Sequence, residues 1–391
     1  MINIGFVHEV FPGGGAETVT SNIVKYISKE KYRAFVFTYN INEHLLTQSD
    51  RDNITIIKIN KEDLFKKPIN TNNTLVKEVN ELNIDILVFV SCIEFNIKGI
   101  VEKIKCKTIF SHHNTPFWEI ENEKEYSLRS IYQNKKFFLS RWKNIYIKLP
   151  KKLKKVENNL LKIYLELYNY CDICTVLCES YKNIISERLN LLSNDKIKVL
   201  LNGIPPAPIV YNLKKKKQLL YIGRMSYTHK RVDRLINIWK NIYKDFPDWE
   251  FIVVGDGEER QNIESQSKNI DRIKFYDFTK KPYEFYNDAS ILLMSSQFEG
   301  VPIVLLEAQQ AGIVPMAFNC SKGLEEILSP SGENGILIEN FNMKTYEKQL
   351  RNLMKDENLR LKIKKNILEK SKQYDMEIIA QNWDELFQSI L

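Results

Sequence analysis

Short, almost wholly apolar runs alternate along this chain with stretches that are apolar on one side only. The apolar runs predict strands at Asn3–Val7, Ala34–Thr38, Ile54–Ile59, Ile84–Val90, Lys107–Ser111 and Ile173–Leu177. Helical periodicity is clearest at Glu17–Lys29 and Leu75–Leu82. Continuous apolar strands separated by amphipathic helices predict a parallel sheet covered on both faces. The rhythm stops at residues 119–170, a long insertion rich in lysine and aromatic residues with helical character. It restarts after Asn202-Gly203-Ile204-Pro205-Pro206-Ala207-Pro208, a proline cluster that neither a helix nor a central strand accommodates. Beyond the cluster, strands are expected at Leu219–Ile222, Phe251–Val254, Ile273–Tyr276, Ile291–Met294 and Ile313–Ala317, with helices at Arg231–Asp245 and Glu258–Lys268. The last segment, 376–391, has a one-sided apolar stripe and is expected to be a helix packing back toward the N-terminal domain.

The pattern therefore predicts two doubly wound α/β domains, 1–205 with its insertion and 206–375, followed by the terminal helix. A length of 391 residues suits two cores better than one. The first residues look like a strand and not a signal peptide, and the apolar runs fall far short of the roughly 20 residues that span a bilayer. A cytoplasmic protein is the expectation.

Composition adds a sign. Lys and Arg number 57 against 49 Asp and Glu, a formal charge of +8. Much of the excess sits in 135–162: Lys135, Lys136, Arg141, Lys143, Lys148, Lys151, Lys152, Lys154, Lys155 and Lys162, interleaved with Phe137, Phe138, Trp142, Ile145, Tyr146 and Ile147. That mixture suits an anionic membrane surface, peripherally on the inner face of the cell membrane, and competes with an ordinary solvated face. Nucleic acid is not expected as a partner, because no nucleic-acid motif accompanies the charge. Cys171 and Cys174 have the spacing of half a zinc site, but no second pair follows, so small buried cysteines are expected.

Candidate chemistry concentrates where predicted strands run into helices. Glu299-Gly300-Val301-Pro302 leads into Ile303-Val304-Leu305-Leu306-Glu307-Ala308. Pro302 suits a first helical turn, and the amides of Gly300 and Val301 at a helix N-terminus suit a diphosphate. Glu307 lies about two turns on, within reach of a polyol such as ribose. Upstream, Gly223-Arg224 and Lys230 put two cations on a loop, where they would stabilise a diphosphate leaving group. Phe11-Pro12-Gly13-Gly14-Gly15-Ala16-Glu17 opens the first helix without the spacing of a dinucleotide fingerprint. Ser111-His112-His113 ends a strand. Asp50-Arg51-Asp52 is a metal-binding triplet in form but precedes its strand, so a solvated polar loop is expected there.

These segments together resemble the retaining GT-B glycosyltransferases, above all glycosyltransferase family 4. Glu299 and Glu307 match the family's Glu-x7-Glu signature, and Arg224 with Lys230 matches its diphosphate clamp, Arg231 standing where glycine is usual. Gly255-Asp256-Gly257 resembles the family's Gly-Asp-Gly. Phe278 falls in the stretch that flanks the nucleobase, with Asp277 in place of a usual glycine. Asn202-Gly203 matches the end of the first domain, and Gly14, Gly15 and Glu17 resemble the Gly-Gly-x-Glu loop.

The resemblance implies a GT-B fold of two Rossmann-like domains and transfer of a hexosyl unit from a nucleotide-sugar donor without a metal ion or other cofactor. Family frequency favours a uridine nucleotide. The acceptor is expected to be a glycan or a lipid-linked saccharide in surface polysaccharide synthesis. It assigns Glu299, Arg224, Lys230 and His113 to catalysis, with His112 as the alternate of His113. Gly14, Gly15, Glu17, Asn202, Gly255, Asp256, Phe278, Gly300, Val301, Pro302 and Glu307 are assigned to the donor. A nucleotide-sugar epimerase of the same architecture and a non-catalytic nucleotide-sugar-binding protein are the alternatives.

Overall fold

A computed structural model of the protein describes residues 1–65, 73–133, 143–206 and 215–391. They form two compact units, residues 1–201 together with 381–391, and residues 202–380. Ala207, Pro208 and Lys214 of the linker, and Lys135, Lys136, Phe137, Phe138, Leu139, Arg141 and Trp142 of the basic insertion, lie outside the described residues.

The first unit is built on β1 (Ile2–Phe11), β2 (Tyr32–Ile41), β3 (Ile54–Lys58), β4 (Ile86–Val90), β5 (Lys107–Ser111), β6 (Ile173–Val176) and β7 (Ile197–Val199). They lie in the order β3-β2-β1-β4-β5-β6-β7, with every pair parallel. All five residues of β4 are buried, as a central strand with helices on both faces requires. Residues 381–391 join this unit: Asp384 accepts from Tyr32 Oη at 2.6 Å and Lys31 Nζ at 3.1 Å, and Phe387 meets the Tyr32 ring edge-on.

The second unit repeats the plan with β8 (Gln218–Ile222), β9 (Glu250–Val254), β10 (Ile273–Tyr276), β11 (Ile291–Met294), β12 (Val314–Phe318) and β13 (Ile336–Ile338). Their order is β10-β9-β8-β11-β12-β13, again parallel throughout. The helix Val232–Ile242 buries Val232, Leu235, Ile236, Trp239 and Ile242, the spacing of one helical face, in a core with Trp249, Phe251 and Phe318. The chain enters this unit at Asn202. Ile204 bridges Asp375, and a Cβ on Gly203 would fall 2.6 Å from Met376 Sδ.

In each sheet the strand order reverses once, between β1 and β4 and between β8 and β11. Ligands of open α/β sheets bind beyond the carboxyl ends of the strands at such a point. The loops after β8 and β11 carry Arg224, Lys230, Glu299 and Gly300.

Three expectations change. Asp50-Arg51-Asp52 is not a loop but part of a helical turn, Gln48–Asn53, because Thr47 and Asp50 cap each other's amides at 3.1 and 2.9 Å and Asp50 is buried. Pro302 is not in the first turn of its helix. It sits at the N-cap with extended dihedrals, and the helix is Ile303–Gln310. Strands β7 and β13, three residues each, show no periodic pattern and were not expected.

The insertion forms the helices Trp118–Gln133 and Leu149–Tyr170, the latter led in by a π-helical turn at Asn144–Lys148. The longer helix buries Leu149, Leu160, Tyr164 and Leu167 and exposes Lys151, Lys154, Lys155 and Lys162. Cys171, Cys174 and Cys178 are buried thiols. Among the described residues no helix is long and apolar enough to cross a membrane.

Candidate donor site

In the second unit, two loops lie backbone against backbone beyond β8 and β9. Gly223 N donates to Val254 O at 3.0 Å, Met225 N to Asp256 O at 2.7 Å, and Glu259 N to Met225 O at 3.2 Å. Gly255 and Gly257 have φ of 135° and 149°, and a Cβ on them would fall 2.0 Å from Gly223 O and 2.3 Å from Met225 O. Only glycine permits that approach. Gly255 and Asp256 therefore buttress the loop that carries Arg224. Tyr221 Oη donates to Arg224 O at 2.8 Å, and the Arg224 side chain is exposed.

The same loop ends at Lys230, whose Nζ lies 2.6 Å from Glu299 Oε1. The two come from either side of the strand-order reversal. Glu299 is the less exposed partner, its side chain 10% accessible against 28% for Lys230. Around them, Gln297 N donates to His229 O at 2.6 Å, and Arg234 donates to Ser295 O at 3.0 Å and Gln297 Oε1 at 2.6 Å. Burial, with Arg224 and Lys230 nearby, holds the His229 imidazole below its usual pKa.

The segment after Glu299 is pinned by its carbonyls. Ser321 Oγ donates to Gly300 O at 3.2 Å, and Asn202 Nδ2 to Val301 O at 3.1 Å. Glu307 accepts from Tyr286 Oη at 2.7 Å, and burial pushes its carboxyl up to about 7. It is not a surface glutamate.

Arg231 takes the left-handed conformation, φ 51° and ψ 44°, that the usual glycine would adopt without cost. Phe278 is largely exposed. Its neighbour Asp277 pairs with Arg260 at 3.0 Å, and Arg260 also donates to Gly255 O at 2.6 Å. Sequence reasoning missed Arg234, Arg260, Tyr286 and Ser321. Arg234, Tyr286 and Ser321 act through partners 21 to 63 residues away, a relation that no local spacing displays, and Arg260 acts through the Gly255 carbonyl and Asp277.

In the first unit, Gly14 caps the helix Gly15–Tyr26 and donates its amide to Glu17 Oε2 at 2.6 Å. Glu17 Oε1 is 3.8 Å from Nδ1 of the buried His8, whose Nε2 is 3.0 Å from Thr20 Oγ1. Burial alone would raise the Glu17 carboxyl, but His8 and the Gly14 amide bring it below its usual range. His112 stacks on Tyr164 in the core, and burial with the adjacent His113 lowers it to about 3. The half-buried His113 has Nε2 3.1 Å from Ser111 Oγ, which in turn accepts from Thr175 Oγ1 at 2.9 Å.

Residues 13–207 match the family model described as Glycosyltransferase Family 4, and residues 208–370 match Glycosyl transferases group 1. The chain is 25% identical to an uncharacterized glycosyltransferase of Haemophilus influenzae, over 98% of this chain and 99% of that one. It is 30% identical to the amylovoran biosynthesis glycosyltransferase AmsD of Erwinia amylovora over 44% of this chain and 48% of the relative. Among solved structures it resembles Anabaena Alr3699/HepE in complex with UDP-glucose, with a TM-score of 0.70, 16% identity and complete coverage of both chains. With two parallel Rossmann-like sheets and two successive family matches, the chain belongs to the GT-B glycosyltransferases of the family 4 type.

Proposed function

We propose that this enzyme moves a hexosyl unit from a UDP-sugar, with retention of configuration, to a glycan or lipid-linked saccharide acceptor in surface-polysaccharide biosynthesis. The observation that carries the proposal is the Lys230–Glu299 pair, 2.6 Å apart at the strand-order reversal, with Lys230 on the loop that also carries Arg224. A donor places its diphosphate against Lys230 and Arg224 and its sugar hydroxyls against Glu299, so both halves of the pair exchange one partner for another. As the glycosidic bond breaks, charge gathers on the departing diphosphate, and the two cations stabilise it without a metal ion. The acceptor hydroxyl attacks from the face the diphosphate leaves, and a phosphate oxygen takes its proton. Glu307 receives the ribose, Phe278 flanks the base, and the Gly300 and Val301 amides hold phosphate.

The uridine assignment is supported by the UDP-glucose held by the structural relative, and the polysaccharide role by the amylovoran relative. Gly14, Gly15, Glu17 and His113 are proposed to serve the reacting end of the donor. The exposed lysines of Leu149–Tyr170 are proposed to rest on an anionic membrane surface, with the enzyme peripheral on its cytoplasmic face.

The test is donor hydrolysis and transfer by Glu299→Ala and Lys230→Ala. Loss of both activities is expected, and wild-type rates in both variants contradict the assignment. Conversion of a UDP-sugar to its epimer without acceptor would instead indicate an epimerase.

A further inference from the structure

Arg231 is held from three directions. Its guanidinium makes a two-toothed contact with Asp233, Nε to Oδ1 and Nη2 to Oδ2, both at 3.0 Å. The same group lies over the Tyr227 ring, 4.3 Å from its centroid. Its backbone is fixed as well: Arg231 N donates to Ser226 O at 2.9 Å, and the hydroxyl of the fully buried Ser295 lies 2.8 Å from Arg231 O and 3.2 Å from Lys230 O. All this surrounds a residue at φ 51°, where a side chain other than glycine is disfavoured. A residue kept in a disfavoured conformation by this many contacts points to a required geometry and not to chance.

The geometry it fixes is that of the preceding residue. Lys230 shares the Ser295 contact, and its own amide donates to Ser226 O at 3.2 Å. Its ammonium depends on that backbone for its distance to Glu299.

We infer that Arg231 is a positioning residue. By locking onto Tyr227 and Asp233 it pre-orders the Arg224–Lys230 loop, so that Lys230 meets the donor diphosphate without a separate ordering step. Glycine at this position has the conformation available but nothing to hold it, and a loop that must be ordered on binding gives up affinity. This rests on the reading of Lys230 as a diphosphate-binding group.

The test is calorimetric titration of UDP into the wild type, Arg231→Gly, Arg231→Lys and Lys230→Ala, with the thermal midpoint of each recorded. Glycine suits φ 51°, so Arg231→Gly is expected to fold with an unchanged or higher midpoint yet bind UDP about tenfold more weakly. Arg231→Lys, which keeps a cation for Tyr227 and Asp233, is expected to recover part of that loss. A merely structural role would move the midpoint together with the affinity. Wild-type affinity in Arg231→Gly alongside weakened binding in Lys230→Ala overturns the positioning role alone. Wild-type affinity in Lys230→Ala overturns the diphosphate reading and this inference with it.

Discussion

Lys230 and Glu299 pair at 2.6 Å, so removing the Glu299 charge releases the Lys230 ammonium from this contact. Glu299→Gln frees the ammonium for phosphate while weakening the grip on the sugar. Transfer is expected to fall on the order of 10²-fold in kcat, while UDP binds at least as tightly as to the wild type. Steady-state kinetics and a UDP titration of the same variant check both halves. Glu307 yields a pH prediction. Its carboxyl, raised from 4.5 to about 7 by burial, holds a proton in the folded state that the unfolded chain has released. Its stabilising contribution is therefore full below about pH 4.5 and lost as pH rises through 7. The stability difference between the wild type and Glu307→Gln, measured by urea unfolding at several pH values, should shift against the wild type across that window. A constant difference would show that Glu307 does not titrate there. Glu299, Glu307, Arg224 and Lys230 could be singled out as candidates in the sequence because their identities and order make a pattern. The Tyr286 partner of Glu307 could not, because a β-strand and two loops separate the two residues in sequence.

The loops that carry these residues are set by the elements beneath them. β8 and β9 end side by side, and their loops touch because Gly255 and Gly257 have no Cβ. Gly255→Ala would drive a methyl group into Gly223 O and force a side chain into a disfavoured φ. A loss of about 2–3 kcal/mol of stability is expected, seen as a lower urea midpoint, together with weakened UDP binding. Unchanged stability would mean that the two loops do not depend on their close approach. The strands were readable because a parallel strand buried on both faces is apolar at every position, as Ile86–Val90 and Ile291–Met294 are. β7 and β13 were not, since three residues carry no period. The turn at Gln48–Asn53 was hidden for another reason: its composition is polar and loop-like, and only the reciprocal Thr47–Asp50 cap makes it helical.

For the molecule as a whole, two doubly wound units were predictable from the restart of alternation after the proline cluster. The membership of Asn202 and Gly203 in the second unit was not, because it rests on contacts with residues far along the chain, Asn202 with Val301 and Gly203 with Met376. The basic helix gives a further prediction. Replacing Lys151, Lys155 and Lys162 with glutamate should abolish co-sedimentation with phosphatidylglycerol vesicles, each lysine contributing about 1 kcal/mol near such a surface. Co-sedimentation equal to the wild type would remove this helix from any membrane role.

The central claim is that the second unit holds an activated sugar through its diphosphate. The most direct measurement is thermal unfolding of the intact chain with UDP-, GDP- and ADP-glucose, in the wild type and in Lys230→Ala. A UDP-sugar at 100 times its Kd is expected to stabilise the wild type by about 2.7 kcal/mol, with less effect from the other two bases and a much smaller shift in Lys230→Ala. Absence of stabilisation by any nucleotide-sugar, or equal stabilisation of the wild type and Lys230→Ala, would contradict it.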